Sequence, residues 1–431
     1  MHIRTFNNEC ADPSLPSVAL NVKEGRQYLS EKSHAAWKYV YEHHLNDSDW
    51  FLKADDDTYV VMENLRYMLL KHDNLKPVYF GCRFHDFMSG GAGYVLSREA
   101  VTRLVEKALP NPKSCPLRGE AEDVSIGLIL FPFSLHQVEQ EPFRIMIPQE
   151  SGTHAVAYMG SQPVLPNWDA EKLPTERMRK VRVLCWIMTM PGNHEKAMHV
   201  KKTWGKRCDQ LIFMSSRHDP LLPTVALDVK EGRDHLSDKS HAAWKYVYQH
   251  HLNDSDWFLK ADDDTYVVME NLRFMLHKHD PLRPVYFGCR FHGFMSGGAG
   301  YVLSREALNR LAEEALPNPK TCPLGKDEDV SIGKCLTAVG VEAGDSRDEF
   351  GRWRFFPFNP ETHLNPIAEH RFNWLFRFTH YNYTEGPECC SDTAIAFHYV
   401  SPNLMHAMEY LIYRIHPYGV CSIEKPDNAL S

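Results

Sequence analysis

Apolar residues along the second half of this chain fall into two kinds of spacing. Val181-Arg-Val-Leu-Cys-Trp-Ile-Met-Thr189 is a β-branched, apolar run of strand length, and Gln210 to Met214, Trp257 to Lys260, Pro284 to Cys289 and Tyr301 to Leu303 read the same way. Between these runs the apolar positions recur at helical intervals. That spacing predicts helices over Asn193 to Trp204, Arg233 to Leu252, Val268 to His279, Arg305 to Leu316, Asp329 to Val339 and Pro402 to His416. The last of them aligns Leu404, Met408, Leu411, Ile412 and Ile415 as a face to pack on a core. Strands alternating with helices predict an α/β fold with a mostly parallel sheet, whose ligand sites lie beyond the carboxyl ends of the strands.

The same pattern has already been met earlier in the chain. Ser17 to Leu117 matches Thr224 to Leu324 at a constant offset of 207, with about 16 differences in 101 positions, and shares the runs KSHAAWKYVY, DSDWFLKADDDTYVVMENLR and FMSGGAGYVLSREA. A long unit present twice is a duplicated domain, whereas a solenoid stacks a short unit many times. The first copy has no counterpart of Val181 to Thr189 or of the helix after it. Its Phe131-Pro132-Phe133 resembles Phe356-Pro357-Phe358, so most of the segment equivalent to Cys335 to Arg354 is missing, and nothing earlier matches Glu369 to Ser431. Gln137 to Arg179 is rich in Pro, Gln and Glu without a sustained period, as in a linker. The expected division is a truncated duplicate over 1–133, a linker over 134–179 and a complete domain over 180–431.

Composition narrows the function. The 431 residues are 43% hydrophobic and 24% charged, a globular balance, and the formal charge of -8 lacks the basic excess that nucleic acid binding needs. No apolar run approaches the roughly 18 residues of a membrane span, and the first residues lack the basic and apolar segments of a signal peptide. The 11 cysteines and the glycosylation sequons at Asn46, Asn253 and Asn382 nevertheless suggest an oxidising, secretory compartment. No Cys-x-x-Cys pair occurs, which favours disulfides over structural zinc.

Chemistry concentrates where strands end. Asp262-Asp263-Asp264 follows the apolar Phe258-Leu259-Lys260-Ala261, so like charges crowd unless solvent, a helix N-terminus or a divalent cation offsets them. In an extended segment Asp262 and Asp264 share one side and Asp263 takes the other. The pair could chelate Mg2+ or Mn2+ beside a diphosphate; equally, it could begin an acidic helix N-terminus. Asp327-Glu328-Asp329, near Cys322 and Cys335, offers either a general base or a helix cap. Ser296-Gly297-Gly298-Ala299-Gly300 lacks dinucleotide-loop spacing and runs into a strand, so its glycines suit close backbone approach to a sugar or other substrate. His398 between apolar neighbours is a packed histidine or a metal ligand, and the aromatic stretch from Trp374 to Tyr383 is core or a surface for sugar rings.

Taken together, VLCWIMT, DWFLKADDDTYV, MSGGAGYVLS, VEAGDSRD, EGPECCSD, FHYVSP and RIHPYG resemble the glycoprotein-N-acetylgalactosamine 3-β-galactosyltransferase family, also called core 1 β-1,3-galactosyltransferases or T-synthases, over roughly Lys180 to Asp427 and partly over Phe6 to Gly127. The resemblance implies a GT-A-type fold, UDP-galactose as donor, Mn2+ as metal and GalNAc-bearing glycoproteins as acceptors. It implies Asp262, Asp264 and His398 as metal ligands and Asp329, with Glu328 as the alternative, as general base. Lys239 and Asp263 would then touch the donor, Trp374, Tyr383 and Gly298 the acceptor, and Cys322 would pair with Cys335. It further implies a type II, membrane-anchored Golgi protein, with a homodimer and a dedicated chaperone as partners. The anchor has no counterpart here, so the chain is expected to be a fragment, an incomplete gene product or an unusual soluble form. A chaperone-like paralogue departs from the acidic triplet, which this chain keeps; a related β-1,3-sugar transferase with another donor is the remaining alternative. Copy one keeps Asp55, Asp57 and Asp123 but has no counterpart of His398, which makes it catalytically incompetent on this reading.

Overall fold

Val183–Met188 is buried at every position because helices cover both faces of the sheet it belongs to, which is why its sequence reads as an unbroken apolar run. The computed structural model describes residues 18–23, 25–84, 87–110, 122–130, 136–137, 180–365 and 373–417. These fall into two compact units, one within Met1–Leu165 and His416–Ser431 and one within Pro166–Ile415. No described helix is long and apolar enough to cross a membrane.

The second unit is built on a seven-stranded sheet. Its order across the sheet is Glu342–Ala343, Val285–Gly288, Tyr301–Ser304, Trp257–Asp262, Val183–Met188, Gln210–Ser215 and Thr224–Ala226. All pairings are parallel except the two made by Tyr301–Ser304. This is the mostly parallel α/β class expected of a GT-A-type fold. Alternate residues feed two cores: Val183, Cys185, Ile187 and Leu259 on one face, Leu184, Trp186, Met188 and Phe258 on the other. On the second face Trp186 meets Trp244 of the helix Leu236–His251 edge-on, with ring centroids 5.1 Å apart.

The five expected strands and six expected helices are all present, within a few residues of their predicted ends. Pairs of strand residues too short for a sequence signal were not foreseen: Tyr266–Val267, Phe355–Phe356 and Ala396–Phe397, which form a small separate sheet. The final helix, Pro402–Tyr413, packs the first part of the expected face, Leu404 and Met408, on the core and leaves the second part outside. Met405 and Met408 are buried, while Leu411 and Ile412 are exposed, because only its first half lies over the core. Glu409 fixes that half through Arg207 at 2.7 Å and Lys206 at 2.6 Å.

The first unit has four strands, ordered Trp50–Lys53, Tyr94–Ser97, Val78–Gly81 and His136–Gln137. His136–Gln137 falls inside the expected linker, yet it pairs in parallel with Val78–Tyr79, as Glu342–Ala343 does with Val285–Tyr286. Residues 138–179 lie outside the described residues.

Candidate functional site

The site forms where Trp257–Asp262 ends. Parallel pairing with Val183–Met188 carries this strand as far as Asp262, opposite Met188. Thr265 closes the turn that follows. Its N–H donates to the Asp262 carbonyl at 3.1 Å, and its hydroxyl accepts from the Asp262 N–H at 3.1 Å and donates to the Gly298 carbonyl at 2.8 Å. The indole N–H of Trp204 donates to the Thr265 carbonyl at 2.8 Å and pins the turn from within the core.

Beyond the turn, Tyr266–Val267 pairs antiparallel with Ala396–Phe397, and the next residue on that distant strand is His398. The Val400 N–H donates to the Asp264 carbonyl at 2.9 Å and ties the two segments again. His398 Nε2 consequently lies 3.2 Å from Asp264 Oδ1 and 3.9 Å from Asp262 Oδ2. The three side chains offer ligand atoms all within 4.8 Å of one another. Two carboxylate oxygens and one imidazole nitrogen form a donor set suited to a hard or borderline divalent ion such as Mn2+. Burial raises the Asp264 pKa, but His398 and Lys196 outweigh it and draw the carboxyl down to about 2. That carboxylate stays ionised across the physiological range.

Asp329 approaches from the other side of Gly297 and Gly298. It lies in the first turn of the helix Glu328–Ala338, and its Oδ2 accepts from the Gly297 N–H at 2.9 Å while Oδ1 accepts from the Val330 N–H at 2.8 Å. Gly298 packs against the imidazole of His398, and a Cβ there would overlap the ring. The dipeptide thus separates the metal-type triad from Asp329 by one backbone link, and the close approach its glycines permit is to His398 and Glu328. Glu328 is buried: Lys260 faces it at 2.7 Å, and Ser240 and Tyr301 donate to its other oxygen at 3.0 and 3.3 Å. Burial pushes its pKa up against the pull of Lys260. Asp329 is the less buried of the two.

Two residues expected at the donor have internal partners instead. Asp263 accepts from Thr189 Oγ1 at 2.8 Å and Asn193 Nδ2 at 3.1 Å, and shares the Lys196 ammonium with Asp264, each at 3.0 Å. It locks the end of Val183–Met188 to the helix that follows. Lys239 is 2% exposed, pairs with Glu231 at 2.6 Å and donates to the Thr189 carbonyl, and burial lowers its pKa. An ammonium enclosed in this way supports the framework. Tyr383 lies against Trp353, with centroids 5.0 Å apart, and its hydroxyl meets His363 Nδ1 at 2.5 Å. Trp374 belongs to the helix Asn373–Phe378, but its side chain lies outside the described residues. Cys322 and Cys335 are disulfide-bonded, as are Cys185 with Cys208 and Cys389 with Cys390.

The sequence reading missed Lys196 and Lys260. Lys196 leaves no local signal, since it is one basic residue on an amphipathic helix. Lys260 did leave one: a lysine inside a fully apolar strand must find buried carboxylates, and it finds Asp262 at 2.8 Å as well as Glu328.

Residues 10–132 and 182–348 match the Fringe-like family. Over 252 residues the chain is 48% identical to the glycoprotein-N-acetylgalactosamine 3-beta-galactosyltransferase 1 of Xenopus laevis, covering 57% of this chain and 69% of that one. A beta-1,3-glucosyltransferase of Mus musculus is 28% identical over 219 residues, covering 46% of this chain and 44% of its own length. Among solved structures, the galactosyltransferase LgtC in complex with donor and acceptor sugar analogs is similar over 51% of this chain and 87% of that one, with 12% identity and a TM-score of 0.29.

Proposed function

The chain belongs to the Fringe-like family, and from that premise we propose that its second unit moves galactose from UDP-galactose to the 3-hydroxyl of GalNAc on Ser or Thr of glycoproteins, with inversion. The coarser statement, a glycosyltransferase of the β-1,3 type, follows from the relatives. Asp262, Asp264 and His398 on one side of Gly297–Gly298 with Asp329 on the other support metal-assisted, base-assisted transfer, and the 48% identity to the Xenopus galactosyltransferase supports galactose as the sugar.

The triad fits Mn2+, held by both carboxylates and the imidazole; when bound, the ion supplies positive charge to the diphosphate leaving group. Asp329 is the general base of this reading. Its two backbone donors orient the carboxylate, and it takes the proton of the acceptor 3-hydroxyl as that oxygen bonds to the anomeric carbon. The bond from that carbon to the diphosphate oxygen breaks, and its electron pair leaves with UDP. One displacement turns an α-linked donor sugar into a β-linked product. Glu328, buried beside Lys260, Ser240 and Tyr301, is the weaker candidate for the base because both its oxygens are already engaged.

Three disulfides and the sequons suit a Golgi enzyme acting on secreted glycoproteins. The retained acidic triplet favours catalysis over a chaperone role. A donor panel tests the proposal: UDP-galactose, UDP-GlcNAc, UDP-GalNAc and UDP-glucose are offered with a GalNAc-Thr peptide. Transfer from UDP-galactose alone, giving a β-linked product, is the expected result. Preferential glucose transfer would assign the chain the activity named for its mouse relative.

A further inference from the structure

Lys260 stands between the metal-type triad and the base segment, and its surroundings show more than charge neutralisation. It is 1% exposed on the central strand. Its ammonium meets Asp262 Oδ1 at 2.8 Å and Glu328 Oε1 at 2.7 Å, and donates to the Gly297 carbonyl at 3.2 Å, one acceptor for each of its three N–H bonds. Each acceptor belongs to a different part of the site. Asp262 carries the oxygen that faces His398, the Gly297 peptide donates its N–H to Asp329, and Glu328 precedes Asp329 on the helix. Glu328 is itself held, because Ser240 and Tyr301 donate to its other oxygen and Gly297 packs closely against its carboxylate.

We propose that Lys260 is a positioning residue that fixes the metal-side carboxylate Asp262 and the Gly297 peptide beside Asp329 at one separation. This rests on the site reading given above. The duplicate shows that the arrangement does not need the histidine. Lys53 meets Asp55 at 2.7 Å, Glu122 at 2.5 Å and the Gly90 carbonyl at 3.4 Å in a unit where no triad of metal-type ligands gathers among the described residues. The alternative role is a counter-charge for buried Glu328, and the two make different predictions for a neutral pair. Buried ion pairs replaced by uncharged residues of similar volume are often tolerated in stability, so K260M/E328Q should fold while losing the three-way anchor.

The test uses the full chain and Mn2+ alone as probe, titrated into wild type, E328Q, K260M/E328Q and K260R, with turnover measured in parallel. E328Q is expected to bind Mn2+ much as wild type does. K260M/E328Q should keep its thermal midpoint, bind Mn2+ about 10- to 100-fold more weakly, the usual effect of losing a partner behind a metal ligand, and lose kcat more than donor KM changes. K260R retains the charge, but its planar fork cannot place three donors as an ammonium does, so it too should weaken Mn2+ binding, and it serves as the arm that decides if the double variant fails to fold. Wild-type Mn2+ affinity in K260M/E328Q or in K260R would overturn the positioning role and leave the metal site standing. No Mn2+ binding by the wild type would overturn the metal assignment and the role of Lys260 together.

Discussion

The strands Trp50–Lys53 and Trp257–Asp262 begin with the same four residues and run into the same three aspartates, yet only one of them builds a site. In the second unit Val183–Met188 pairs along the whole strand, extends it two residues to Asp262 and buries it; Leu259 is 0% exposed. In the first unit no described strand pairs with the equivalent edge, the strand stops at Lys53, and Leu52 is 37% exposed. Asp55 and Asp57 are exposed there, whereas Asp262 and Asp264 are partly buried against His398. An acidic motif is therefore not sufficient. It becomes a metal-type centre when a neighbouring strand fixes its first carboxylate and a distant strand delivers a third ligand.

The largest effect is expected from the triad: chelation with EDTA should abolish transfer and Mn2+ restore it, and Asp264→Ala or His398→Ala should lower kcat/KM by orders of magnitude, while Asp57→Ala in the duplicate changes nothing. Full activity in chelator would sink the assignment. Next comes the base. Asp329→Asn should lower turnover by roughly 10² to 10⁴ with UDP binding retained, and Asp123→Asn, its first-unit counterpart, should be silent; a normal Asp329→Asn enzyme beside an inactive Glu328→Gln enzyme would move the role to Glu328.

A third effect concerns stability against acid. Asp264 has a folded pKa of about 2, below its ordinary value of 3.8, so its ion pairs stabilise the second unit fully above about pH 4 and lose that contribution as the pH falls through 2. Asp264→Asn should flatten the acid limb of an unfolding curve by about 2 kcal/mol at most; an unchanged limb would show that His398 and Lys196 do not hold the carboxylate in solution. The smallest effect is expected from deleting Met1 to Glu171, which should leave transfer essentially intact. Expressed alone, Met1 to Glu171 should neither bind UDP nor stay soluble, given that no described strand covers the edge of Trp50–Lys53 and that Leu52 is exposed. Lost activity on deletion, or a well-folded fragment that binds UDP, would show that the duplicate contributes to the active assembly.

Much of this was legible in the chain itself. Period and composition specified the α/β alternation because the helices and the long strands each bury a continuous face, and such faces leave a periodic trace. The duplication, the side shared by Asp262 and Asp264, and the different side taken by Asp263 also followed from sequence, since alternation along an extended segment is a local property. Three things were decided only by tertiary structure. His398 reaches Asp264 through a two-residue pairing, Tyr266 with Phe397 and Val267 with Ala396, too short to leave a periodic signal and made across a long sequence separation. Lys239 and Asp263 turned inward because Glu231, Thr189 and Asn193 stood ready as partners, and no spacing rule encodes which carboxylate or hydroxyl a folded chain will set beside a given charge. The last was Lys260: the sequence required that a lysine on a buried strand be satisfied, but only the packing of the strand, the glycine loop and the helix start around one ammonium determined that Asp262, Gly297 and Glu328 would satisfy it.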